Sequence, residues 1–175
     1  MKHPAMLISF AGLPGTGKST LARELAFQLG AFWLRIDSIE EAIHQSGVFS
    51  GAIAEAGYRA AYAVAEDNLR LGRTDIGDCV NDWMLTRNAW RDAGLRAGAN
   101  IIEIEVICSD TFEHRRRIEA RPMVDVGLGL PDWKSVVHRD YHPWDRNPTR
   151  IDTAGRSVAE CVATIKKMLP QHDLS

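Results

Sequence analysis

Long apolar runs are missing from this 175-residue chain. No hydrophobic stretch approaches the roughly 20 residues of a membrane-spanning helix, so the chain does not read as a helical membrane protein. An excess of one charge is missing as well. Lys and Arg number 21 against 23 Asp and Glu, for a formal net charge of −2. No global basic field therefore draws the chain to nucleic acid or to an anionic membrane, and any contact with nucleic acid needs a local groove. Cysteine is scarce. Cys79, Cys108 and Cys161 are odd in number, far apart and without a C-x-x-C spacing. They read as buried reduced thiols rather than a disulfide framework or a metal cluster. A charged-then-apolar signal segment is lacking: "MLISFAG" is short and runs straight into a glycine loop. A cytoplasmic location is the expectation. Repeats, low-complexity tracts and an interdomain linker are absent too, so residues 1–175 read as one domain.

What is present is ordinary globular material, 45% hydrophobic and 25% charged, in an informative order. Short apolar runs alternate with helical patterns, the signature of a parallel sheet flanked by helices. Met6 to Phe10 predicts a buried first strand. Leu21, Leu25 and Leu29 recur every fourth residue and predict a helix from Lys18 that Gly30 stops. A second strand over Phe32 to Ile36 follows, then a short helix over Ser38 to Gln45 with Ser38 as its cap. Next come an alanine-rich helix from about Glu55 to Leu71 and a weak third strand over Thr74 to Val80. A helix over Thr86 to Ala97 leads into a strand over Ile101 to Cys108.

Asp110 and Glu113 predict a capping box on a basic helix, "TFEHRRRIEAR". That helix should end near Arg121, because the residue before Pro122 is pushed out of the α region. "MVDVGLGLPDW" reads as a glycine-rich loop able to move. Asp132 should cap a short helix with Trp133, Val136 and Val137 on one face. Arg150 to Asp152 predicts a last strand and Ser157 to Leu169 the closing helix.

Between the first strand and first helix stands "GLPGTGKST". Gly12, Gly17, Lys18 and Ser19 match G-x-x-x-x-G-K-[ST], a phosphate-binding loop, in the strand–loop–helix context it requires. Glycines let the backbone curl so that successive N–H groups point inward, and the helix N-terminus adds partial positive charge. The loop Gly12, Pro14, Gly15, Thr16, Gly17, Lys18, Ser19 and Thr20 should therefore hold ATP. Lys18 should reach the β- and γ-phosphates, and the Ser19 hydroxyl should ligate Mg²⁺.

The open question is where the terminal phosphate goes. GTPase switches need a guanine-reading N-K-x-D, and none is present. Large motor ATPases carry an apolar strand ending in an acid. The Ile101 to Cys108 strand instead contains Glu103 and Glu105 and ends in Cys108-Ser109. Neither signature is cleanly present, and water and a bound acceptor both stay open on these residues alone.

"FAGLPGTGKSTLARELA", followed by "RIDSIEEAI" and "CSDTFEHRRRIEAR", resembles the small P-loop kinases of the nucleoside-monophosphate-kinase type. Within them the chain is most similar to the branch holding chloramphenicol phosphotransferase, zeta toxins, polynucleotide 5′-hydroxyl kinase and gluconate kinase. The resemblance spans nearly the whole chain and implies a three-layer α/β/α fold. It also implies a five-stranded parallel sheet of order 2-3-1-4-5 and a helical, arginine-bearing lid over about residues 110–145.

The resemblance puts an Asp after the second strand, facing the γ-phosphate, and Asp37 in "LRIDSIEEA" stands there. A carboxylate can orient an acceptor hydroxyl and take its proton. The alternative is that Asp37 helps cap the Ser38 helix. The family's lid carries two arginines one helical turn apart, and only Arg117 and Arg121 fit that spacing. Closing on the transferred phosphate, they would stabilise its developing charge and exclude water. The alternative is a solvated face partnered by Glu113 and Glu119. Arg115, Arg116 and Arg139, one short helix beyond the glycine loop, are further candidates for the same phosphates. "IDTAG", with Gly155, matches the family loop that runs past the adenine.

Asp78 and Asn81 follow the third strand, at the sheet edge that Lys18 and Asp37 share. Asp78 is a candidate to hold magnesium through a bound water, or a substrate hydroxyl; the alternative is a turn former. Of five tryptophans, Trp33 reads as core. Trp83, Trp90, Trp133 and Trp144 read as core or as aromatics at the mouth of a cleft. His138 and His142 read as surface or packing residues. The expected activity is ATP-dependent phosphorylation of a small-molecule hydroxyl by a monomer or homodimer. Alternatives are a polynucleotide 5′-hydroxyl kinase, disfavoured by the charge balance, and an ATP-binding regulatory or toxin component.

Overall fold

Six consecutive residues, Met6–Ala11, are all buried and form β1, the middle of a sheet. A strand covered on both faces reads as an unbroken apolar run, and "MLISFA" is one. The structure is a computed structural model that describes residues 5–47, 55–121 and 131–170. Its other strands are β2 (Phe32–Arg35), β3 (Thr74–Asp78), β4 (Asn100–Ile107) and β5 (Thr149–Asp152). Five strands pair in the order β2-β3-β1-β4-β5, every pairing parallel. This is the order the resemblance implies.

The crossovers are α1 (Lys18–Leu29), α2 (Ile36–Gln45), α3 (Ala56–Arg70), α4 (Met84–Arg96), α5 (Thr111–Glu119), α6 (Trp133–Val137) and α7 (Val158–Met168). Two apolar clusters sandwich the sheet. One joins Leu21 and Leu25 of α1 to Val162 and Ile165 of α7 over Ile8 and Ile76. The other joins Ala61, Ala65 and Leu69 of α3 to Trp90 of α4 over Leu7. Each fully buried leucine stabilises the fold by about 2 kcal/mol. Among the described residues no helix is long and apolar enough to cross a membrane.

Several boundaries differ from those the sequence predicts. The helix expected from Ser38 begins at Ile36, with Arg35 as its N-cap and no side-chain cap bond. Asp37 and Ser38 therefore lie inside its first turn. The Asp110 carboxylate caps α5 by accepting the N–H groups of Phe112 and Glu113. The reciprocal half of the box does not form, because Glu113 turns to Arg117 and to the Gly155 N–H, 2.9 Å away. A complete box forms instead at α7, between Ser157 and Glu160. Asp132 caps α6 as expected, but Val137 is exposed while Val136 is buried. Cys79 and Cys161 are buried free thiols, whereas Cys108 is only half-buried. The glycine-rich stretch after Pro122 lies outside the described residues up to Leu130.

A parallel sheet brings strand C-termini to one edge. Ala11, Arg35, Asp78, Ile107 and Asp152 end their strands there, and the candidate site is built on that edge.

Candidate active site

The loop from Gly12 to Gly17 curls through positive φ at Gly12, Gly15 and Gly17. At Gly15, φ is +85°, and a Cβ would come within 2.5 Å of the Ile118 Cδ1. Glycine is needed there for both reasons. The outward side of the loop is fully engaged. Thr16 Oγ1 donates to the Leu13 carbonyl at 2.9 Å. His114 Nε2 donates to the Pro14 carbonyl at 2.8 Å. The Thr16 carbonyl accepts from Thr153 Oγ1 at 2.8 Å and from Arg117 at 3.4 Å. In a trans peptide the N–H points opposite to the C=O. Tying down the Pro14 and Thr16 carbonyls on the outside thus turns the Gly15 and Gly17 N–H groups inward.

Lys18 and Ser19 open α1. Lys18 is buried and forms no ion pair among the described residues. Ser19 Oγ donates to Asp78 Oδ1 at 3.1 Å, and Trp33 Nε1 donates to Asp78 Oδ2 at the same distance. Trp33 is thus not plain core: its ring packs against the α1-side cluster while its N–H serves an acid. Burial raises the Asp78 pKa above the usual carboxylate range, and Lys18, Ser19 and Trp33 oppose that rise. A serine hydroxyl beside a carboxylate is an oxygen donor set suited to Mg²⁺, and the inward N–H groups with an unpaired lysine suit a polyphosphate. The residues fit the Mg²⁺–nucleotide pair.

Asp37 is exposed and pairs loosely with Arg35 at 3.4 Å. Its charge acts on Asp78 and on Arg121. Arg121 is half-buried, and that burial lowers its pKa while Asp37 opposes the shift. The two lid arginines do not share a helix face, since α5 ends at Glu119 with Ala120 as its cap. Both line a cavity of ≈ 370 Å³ together with Gly15, Gly17, Thr20, Thr153, Arg156 and Ser157. Arg117 is anchored in its wall by Thr153 Oγ1 at 2.8 Å, the Thr153 carbonyl at 3.1 Å and Glu113. Gly155 has its N–H taken by Glu113 and does not line that cavity.

Other candidates separate from the site. Arg139 pairs with Asp82 at 2.6 Å. Arg115 pairs with Glu119. Glu103 and Glu105 of β4 are bound by Arg146 and Arg150. Trp90 is fully buried and meets Tyr62 edge-on, whereas Trp83 is half-exposed and stacked on His142. Trp133 meets the His114 ring edge-on.

Three residues that hold the site together escape a reading by motif: His114, Thr153 and Arg87. Arg87 is fully buried and donates to the backbone carbonyls of Asn81, Asp82, His142 and Pro143. It lies under the Trp144 ring, 4.2 Å from its centroid. It bolts the segment after β3 to the segment after α6. The signal for His114 is present in the sequence: it and Ile118 share one face of an otherwise charged helix at i, i+4.

A family model described as an AAA domain matches residues 7–126. A shikimate kinase of Paracidovorax citrulli (strain AAC00-1) is 28% identical, over 97% of this chain and 94% of its own. An uncharacterized protein of Mycobacterium tuberculosis (strain ATCC 25618 / H37Rv) is 30% identical over 91% of this chain. The chain spans only 35% of that relative's length. Among solved structures, the Mycobacterium tuberculosis APS kinase in complex with AMPPNP and APS superposes with a TM-score of 0.69 at 19% identity. That likeness covers 95% of this chain and 98% of that one and establishes a P-loop kinase-like fold.

Proposed function

The chain belongs to the AAA domain family, and we propose that it is an ATP-dependent phosphotransferase moving the γ-phosphate to a hydroxyl of a small molecule. The observation that carries this reading is an exposed carboxylate, Asp37, close enough for its charge to act both on Asp78, beside Lys18 and Ser19 of the phosphate loop, and on Arg121. A carboxylate so placed can orient an acceptor hydroxyl and take its proton. Two kinases among the proteins it resembles, a shikimate kinase and an APS kinase bound to AMPPNP, support the same class.

In this mechanism the inward N–H groups of Gly15 and Gly17 and the Lys18 ammonium bind the β- and γ-phosphates. Ser19 Oγ and the Asp78 carboxylate are the residues that would hold Mg²⁺, whose charge would offset that of the phosphates. Asp37 accepts the proton of the acceptor hydroxyl and aligns its oxygen with the γ-phosphorus. Arg121 neutralises charge that builds on the transferred group. Arg117, fixed by Thr153 and Glu113, shapes the donor pocket rather than closing over it. The balanced acidic and basic composition favours a small acceptor over a polynucleotide.

A screen of wild-type protein with Mg-ATP against a library of hydroxyl compounds tests the proposal. ADP release above the acceptor-free rate with particular compounds is the expected result. An acceptor-independent rate that no compound raises, with inorganic phosphate as product, would overturn it.

A further inference from the structure

We infer that Trp33 is a positioning residue for magnesium: its indole N–H fixes which oxygen of Asp78 faces the cation side of the site. The inference rests on the reading of Ser19 and Asp78 as the metal-holding pair. Asp78 is buried and accepts a hydrogen bond on each oxygen: Ser19 Oγ on Oδ1 and Trp33 Nε1 on Oδ2, both at 3.1 Å. The two donors differ in kind. A hydroxyl donates while keeping lone pairs that a cation can take. An indole N–H is a donor only and can neither accept a proton nor ligate a metal. Trp33 therefore holds Oδ2 towards the indole and leaves Oδ1, beside the serine, as the oxygen turned towards the ion or its bound waters.

The fold makes this hydrogen bond stiff. Trp33 lies in β2 in register with Ile76 of β3, two residues before Asp78 on the neighbouring strand. Its ring packs against the cluster that holds Leu21, Leu25 and Ile76. With the ring packed beside α1 and the acid at a strand end, rotation of the carboxylate would leave a part-buried N–H without this acceptor, which is costly. Supporting partners of this kind orient ligating carboxylates, and their loss typically weakens metal sites ten- to a hundredfold. An apolar aromatic at position 33 would fill the space equally well, so the packing alone does not require tryptophan.

The test is nucleotide binding by calorimetry on the whole chain, with ADP in EDTA and then across a Mg²⁺ series, for wild type and Trp33→Phe. Trp33→Phe should leave metal-free ADP affinity within about twofold and reduce the strengthening by Mg²⁺ about tenfold. Equal strengthening in both proteins would overturn the inference and leave the metal site itself standing. No strengthening in wild type would instead overturn the metal reading on which it rests. Should Trp33→Phe fail to fold, wild-type protein with ¹⁵N-labelled tryptophan decides. The indole N–H resonance of Trp33, assigned by elimination with the other four tryptophans replaced singly, should exchange slowly and shift when Mg²⁺ is added to the ADP complex. A resonance that exchanges freely or does not move would contradict the inference.

Discussion

His114 Nε2 donates a hydrogen bond to the Pro14 carbonyl across 2.8 Å, joining α5 to the phosphate loop over a sequence separation of 100 residues. The bond is buried, and the Gly15 backbone sits against Ile118 one turn further along the same helix. The loop is therefore shaped from outside. His114→Ala leaves a buried carbonyl unpaired and frees the peptide that aims the Gly15 N–H. Affinity for ADP, measured by calorimetry, should fall about tenfold, and His114→Gln, which keeps a donor, should recover part of it.

Gly15 gives a sharper version of the same prediction. Alanine there faces both an unfavourable φ of +85° and contact with Ile118. Gly15→Ala should abolish detectable nucleotide binding, while circular dichroism still reports a folded α/β protein.

Arg87 carries no carboxylate partner and is satisfied by four backbone carbonyls and two aromatic rings. A lysine cannot reach several of these acceptors at once, because its donors radiate from a single nitrogen. Arg87→Lys should lower unfolding free energy by about 2–4 kcal/mol in urea titrations, by orphaning buried carbonyls. Tryptophan fluorescence should report the loosening around Trp144.

Asp75 gives a pH dependence. It is buried in β3, with Oδ1 accepting from Asn68 at 2.8 Å and Oδ2 without a partner among the described residues. Burial raises its pKa to about 6, the Asn68 bond opposing. The folded carboxyl thus keeps its proton to higher pH than the unfolded one. Its contribution is full below about pH 4 and is lost as pH rises towards about 6. Asp75→Asn mimics the protonated form. The variant should match wild-type stability near pH 4 and exceed it at pH 7 by about 1–2 kcal/mol, discounted for local screening. Equal stability at both pH values would show that Asp75 is not desolvated.

The phosphate loop was legible because it is local: strand, glycines, lysine and serine follow one another in a single stretch. The sheet order came from the resemblance and holds. Asp37 was found by its place after the second strand, yet its helix starts earlier, because Ile36 buries its side chain and draws the preceding turn into α2. What periodicity could not show are side chains whose partners lie far along the chain. Arg117 looks like a free lid arginine until Thr153 is folded against it. Arg139 looks like a phosphate ligand until Asp82 claims it. Trp33 looks like core until Asp78 meets its N–H. Arg87 carries no motif, and only tertiary structure shows the carbonyls that converge on it.

Transfer to an acceptor aligned by Asp37 is decided by following the γ-phosphate. Wild-type protein and Asp37→Asn are incubated with γ-labelled ATP, Mg²⁺ and the acceptors found by ADP release, and the labelled products are separated. Wild type should yield a labelled organic phosphate, reduced at least a hundredfold in Asp37→Asn, with ATP affinity retained. Undiminished transfer by Asp37→Asn, or inorganic phosphate as the only labelled product of both proteins, would contradict this.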